Sequence, residues 1–150
     1  EDDTLYVCDR GNRQLLVFNS DRSLRAAIPK VGEPADVWVR GDRIYLADPG
    51  FGGIRVYNRK GDWQRTIGDS VSYFSSPLRI RALAVDRRER IWVLEESGAV
   101  RALDALGNPL WHQKPASLFA PVDLALDNQD NLYVLERGGN RLTRFRISEF

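Results

Sequence analysis

The chain has 150 residues, 43% hydrophobic and 29% charged, which fits one globular, soluble domain with its own core and not a disordered chain. Its 22 basic and 21 acidic residues are interleaved and nearly cancel, which argues against a dedicated nucleic-acid or anionic-membrane binder. One cysteine, Cys8, excludes an internal disulfide and a cysteine-built zinc site, and one histidine, His112, leaves little for a multi-histidine metal centre.

Taken in order, the chain reads as short strands separated by turn residues. Residues 4–8, 15–18 and 24–28 come first, with Cys8 expected as a small buried residue of its strand. Residues 30–34 link to a set of four strands, 35–39, 43–47, 54–57 and 63–67, in which Gly41 and Asp42 make a tight hairpin. A third set covers 81–85, 91–94, 100–103 and 109–111, and a fourth covers 124–126, 132–135 and 142–145. No convincing helical period appears, and no apolar run approaches the roughly 20 residues that span a bilayer.

The sets are copies of one another. Tyr6, Tyr45, Trp92 and Tyr133 stand 39, 47 and 41 residues apart, and Phe18, Tyr57, Leu103 and Phe145 keep the same beat at 39, 46 and 42. An acidic residue follows three after each first marker: Asp9, Asp48, Glu95 and Glu136. Four copies, at about 1–32, 33–76, 77–119 and 120–150, each hold three or four strands. Several strands are apolar on both faces, as at residues 83–85 and 124–126, so each sheet is sandwiched between two others. Repeated four-stranded antiparallel sheets stacked around an axis are the blades of an all-β β-propeller. Small residues (Ala35, Ala82, Ala84, Ala125) mark the inner strand, where the blades crowd together. The first copy lacks its inner strand and the last its outer one.

Within this frame the fourth copy resembles an NHL repeat. Pro121, Asp127, Leu132, Tyr133, Val134, Glu136, Gly138, Asn140, Arg141, Leu142 and Phe145 carry the likeness. The first copy matches at Leu5, Tyr6, Val7, Asp9, Gly11, Asn12, Leu15 and Phe18, with Gln14 in place of the motif arginine; the second has Gly53 there. The third copy, with Ile91, Trp92, Val93 and Glu95, has a turn two residues short. The resemblance implies a ring whose ends meet. Three, four, four and three strands point to part of a longer ring, or to one completed by another chain. The strand at 142–145 is then expected to present a free edge. The resemblance also implies function: a non-catalytic scaffold for a protein partner, an NHL-like lyase or hydrolase with a channel metal, or an RNA-binding face.

Asp36 and Asp123 occupy equivalent inner-strand positions and face a central channel in this reading. Paired carboxylates there would hold Ca²⁺; hydrogen bonding to backbone at the strand start is the preferred alternative. The repeated acids Asp9, Asp48, Glu95 and Glu136 are read as structural, satisfying turn amides or a nearby arginine, since catalysis would not need them in every copy. Arg40, Gly41 and Asp42 spell an adhesive tripeptide, but the hairpin wants Gly and Asp for backbone reasons. Phe51, Tyr73, Phe74 and Phe119 lie on loops that the topology sends to one face, where exposed aromatics serve partner binding unless they plug gaps between blades. Arg79, Arg81, Arg87, Arg88 and Arg90 make a modest basic patch diluted by Asp86 and Glu89. A chain that starts at Glu1 and lacks methionine reads as a processed chain, a fragment or an expression product, and low cysteine content leans toward an exported bacterial protein.

Overall fold

A computed structural model of the chain describes residues 3–68 and 78–147. They form fourteen strands: β1 (Leu5–Asp9), β2 (Gln14–Phe18), β3 (Leu24–Pro29), β4 (Asp36–Arg40), β5 (Arg43–Asp48), β6 (Gly53–Asn58), β7 (Trp63–Ile67), β8 (Ile80–Val85), β9 (Ile91–Glu95), β10 (Val100–Leu103), β11 (Pro109–Gln113), β12 (Pro121–Leu126), β13 (Asn131–Glu136) and β14 (Arg141–Arg146). They build four antiparallel meanders, β1–β3, β4–β7, β8–β11 and β12–β14, here blades 1 to 4. This is a β-propeller arc with three, four, four and three strands. Among the described residues the one helical piece is a 3-10 turn at Pro49–Phe51, and no helix is long and apolar enough to cross a membrane.

Alternation along each strand decides which blade it meets. Tyr6, Cys8, Leu15 and Ile28 of blade 1 pack on Val37, Ile44, Leu46 and Tyr57 of blade 2. The opposite face of blade 2 (Tyr45, Ala47, Ile54, Val56) packs on Leu83, Val85, Ile91 and Val93 of blade 3. The opposite face of blade 3 (Ala84, Trp92, Leu94, Val100) packs on Leu124, Leu132 and Val134 of blade 4. The inner strand β8 lies against β4 on one side and β12 on the other, which puts these three at the axis. Among the described residues no buried cluster joins blade 4 to blade 1.

Turns at one end of the blades repeat a five-residue device. Asn19, Asn58, Asp86, Asp104 and Asp127 each donate their amide to the carbonyl four residues on: Ser23, Asp62, Arg90, Asn108 and Asn131. The fourth residue of each turn has positive φ: Arg22, Gly61, Glu89, Gly107 and Asp130. In the last four of these turns the side chain at the first position accepts the amides two and four residues on, as Asp86 does from Arg88 and Arg90, whereas in the first turn Asp21 accepts the Ser23 amide. The 41–42 hairpin is the two-residue alternative, with Arg40 paired to Arg43 and Gly41 at φ 53°.

Candidate functional site

At the other end of the blades, the linkers between blades meet the turns between second and third strands. A buried acid joins them. Both oxygens of Asp48, at the end of β5, accept linker amides: those of Gly32 and Glu33, each at 2.8 Å. Glu136, at the end of β13, accepts the amide of Phe119 at 2.6 Å, from the linker before blade 4. It also takes the Arg141 Nε at 2.8 Å and the Thr143 hydroxyl, and Arg141 reaches on to the Ser117 carbonyl. The Arg141 guanidinium foremost, then these donors, hold the Glu136 carboxyl down at about 2.

The other two repeat acids have different partners. Glu95 pairs with Arg101 at 2.6 Å and accepts the Ser97 hydroxyl. Asp9 accepts the Gln14 amide at 2.9 Å, the Asn12 side chain at 2.8 Å and the Asn12 backbone amide at 3.1 Å, which lower its pKa. The facing-strand donor thus varies: in blade 3 Arg101, opposite Val93, reaches back to Glu95, while Gln14 in blade 1 and Arg141 in blade 4 stand directly opposite their acid. Blade 2 has Gly53 at that register, because a Cβ there would lie 2.1 Å from the Ile67 carbonyl oxygen.

These clamps seat two aromatics. Phe51 sits on the 3-10 turn after Asp48 and leans over linker Gly32, where a Cβ would come within 2.9 Å of its ring. The Arg55 guanidinium stacks 4.5 Å from the centre of that ring and donates to the Lys30 carbonyl. Phe119 has the converse placement: it sits on a linker and leans over turn residue Gly138, where a Cβ would come within 2.3 Å of the ring. Both remain open to water, Phe51 at 52% and Phe119 at 67%. They belong to blades 2 and 4, and Tyr73 and Phe74, on the linker between blades 2 and 3, lie outside the described residues.

At the axis, the Asp36 carboxylate accepts the amides of Val37 and of Leu83 in the next blade, both at 2.8 Å. Burial foremost raises its pKa, against the lowering effect of these two amides, and Asp123 adds to the rise. Asp123 accepts the Leu124 amide at 2.8 Å and is exposed. Both Asp36 oxygens are thus engaged by backbone amides, and among the described residues no group of three His, Cys, Asp or Glu side chains is placed to hold a metal ion. His112 lies on β11, the outer strand of blade 3, with Glu95 4.0 Å away.

The five arginines do not form one patch. Arg79 and Arg81 lie at the start of β8 and Arg87, Arg88 and Arg90 beyond its end, about 20 Å of strand apart. Arg79 faces Glu96, Arg87 pairs with Asp130 at 3.1 Å, and Arg90 is buried on Asp86 at 2.6 Å. Sequence reading missed a groove of about 320 Å³ between blades 3 and 4, lined by Trp92, Trp111, Leu132, Phe145 and Ile147. Trp111 was legible as a strand aromatic, but nothing in the sequence set it beside Phe145.

No protein-family model matches the chain, and none of the curated proteins does. Solved structures share its fold. The WD40 β-propeller domain of Doa1 overlays with a TM-score of 0.73 at 10% identity, over 99% of this chain and 48% of that one. Streptogramin B lyase overlays at 0.72 and 13% identity, over 99% of this chain and 49% of that one. Virginiamycin B lyase from Staphylococcus aureus overlays at 0.68 and 13% identity, over 98% of this chain and 53% of that one. The chain spans about half the length of these propellers.

Proposed function

We propose that the chain is a non-catalytic interaction scaffold of the NHL kind, and that its linker-side face holds a protein partner through Phe51 and Phe119. The carrying observation is that both rings are more than half exposed and yet seated on glycine backbone beside a buried carboxylate clamp. A ring held in place loses little freedom on binding, and fixed aromatics dominate interface energetics. The NHL reading rests on the motif residues of blade 4, where Glu136 and Arg141 form the acid–arginine pair. Likeness to two lyases at 13% identity is a likeness of fold, so the lyase reading stands second.

Affinity capture with the wild-type chain and with the Phe51→Ala/Phe119→Ala double variant tests this. The expected result is a protein retained by the wild type and lost, by about tenfold or more, with the double variant. A captured set unchanged by the double variant would sink the proposal.

A further inference from the structure

We infer that the partner of the linker-side face is an acidic protein segment, one whose carboxylates stand next to apolar side chains. The inference rests on the scaffold reading and names the chemistry that Phe51 and Phe119 would meet.

One arrangement occurs at both rings. At the first, the Arg55 guanidinium stacks on Phe51 and donates to the Lys30 carbonyl, which sets Lys30 beside the ring. Lys30 is exposed, and its ammonium has no partner among the described residues. Two acids stand there, and both are engaged: Asp48 by the Gly32 and Glu33 amides, and Glu33 by Arg10 at 2.6 Å. At the second ring, Arg137 donates its amide to the Ala120 carbonyl, one residue past Phe119. The Lys114 side chain comes to Gly98 together with Pro121, at the other end of the same linker. Arg137 and Lys114 are exposed, and neither side chain has a partner among the described residues. Glu136, the acid of this junction, is buried and already shared by the Phe119 amide, Arg141 and Thr143.

Cations therefore outnumber acids at each ring. Arg10, Lys30 and Arg55 stand against Glu33 and Asp48 at Phe51, and Lys114, Arg137 and Arg141 stand against Glu136 at Phe119. This local excess contrasts with a whole chain whose 22 basic and 21 acidic residues nearly cancel. An apolar ring flanked by free cations is matched by an apolar side chain flanked by carboxylates. Both junctions lie between two described blades, blade 1 with blade 2 and blade 3 with blade 4, and neither uses the outward faces of blades 1 and 4. A nucleic-acid strand is the poorer match. The free cations come in ones and twos around each ring and form no continuous track, and the Arg10–Glu33 pair keeps a half-exposed carboxylate near Phe51.

Selection of a random-peptide display library on the immobilised full chain tests this. The expected winners carry Asp or Glu beside Phe, Leu or another apolar residue. A synthetic copy of the best of them should bind about tenfold or more weaker to Lys30→Glu/Arg137→Glu. That difference should shrink as ionic strength rises from about 0.05 M to about 1 M, where the screening length is about 3 Å. Both positions are exposed, so circular dichroism should match wild type; Lys30→Gln/Arg137→Gln serves if it does not. Winners that are uncharged or basic overturn the inference, and they leave the scaffold reading standing if Phe51→Ala/Phe119→Ala still abolishes their binding. Acidic winners indifferent to the charge reversal overturn it too, as does a library with no winners. So does a single-stranded RNA oligonucleotide that binds as tightly as the best peptide and is lost with the same reversal. Acidic winners that need Lys30 and Arg137 but neither ring would uphold the acidic partner and sink the proposal for Phe51 and Phe119.

Discussion

Blades 3 and 4 carry the same wiring in different surroundings. In blade 3 Asp86 accepts the Arg88 and Arg90 amides, the Arg90 Nε and the Trp92 Nε1. In blade 4 Asp127 accepts the Gln129 and Asn131 amides, the Asn131 side chain and the Tyr133 hydroxyl. The turn, the acceptor and the aromatic donor correspond position by position. Blade 3 has a blade on each side, so Asp86, Arg90 and Trp92 are buried, while Tyr133 is only partly covered. Local sequence sets the bonds, and the neighbouring blade sets how much breaking one costs.

Asp86→Ala should give the largest effect. It removes the carboxylate partner of the buried Arg90 guanidinium, a loss of about 3–5 kcal/mol for a buried pair broken on one side. Asp127→Ala should cost clearly less, because water replaces the lost partners. Equilibrium urea unfolding of both variants compares them, and equal losses would break the comparison. Next come Leu94→Ala and Leu135→Ala, the same register in the two blades. The first should cost about 2–5 kcal/mol and the second about 0.5 kcal/mol or less.

Acid should act mainly through blade 4. Hydrogen bonds from Asn131 and neighbouring amides hold Asp127 down at about 2, and those from Arg141, Phe119 and Thr143 hold Glu136 there also. Both acids have lower values folded than unfolded, where the ordinary values are 3.8 and 4.5. Their stabilisation is full above pH 4.5 and is lost as pH falls through the folded value near 2. A melting temperature that falls across that window, and falls less steeply in Glu136→Gln, is the expected result. The smallest effect concerns Cys8. Burial first, then Asp36 and Asp48, push its thiol up to about 12. Alkylation at mild alkaline pH should be slower in the folded chain than in urea by about a hundredfold or more; equal rates would mean that blade 1 does not stay docked on blade 2.

Much of the fold was legible because the strand period and the spacing of turn residues are local properties. Residues 18–28 align with 57–67 without a gap, and the two stretches share a bulge: Phe18 opposes Leu24 and Tyr57 opposes Trp63 after the same shift in register. The site was less legible. Asp48 was visible as a repeated acid, but its partners Gly32 and Glu33 lie 16 and 15 residues back and reach it only because the linker crosses the blade end. Five arginines close in sequence read as one patch, yet a strand carries two of them to one end of blade 3 and leaves three at the other.

The sequence by itself determined the four-copy repeat, the strand count of each copy, and the face on which each side chain stands, because alternation and turn chemistry act within a few residues. Only the tertiary structure decided which of those faces are covered. Val100 and Leu142 share a register position, and one is buried while the other is open to water, because blade 4 lies against the first and no described residue of another blade lies against the second. Burial depends on what lies across the gap, and no pattern within one strand encodes that.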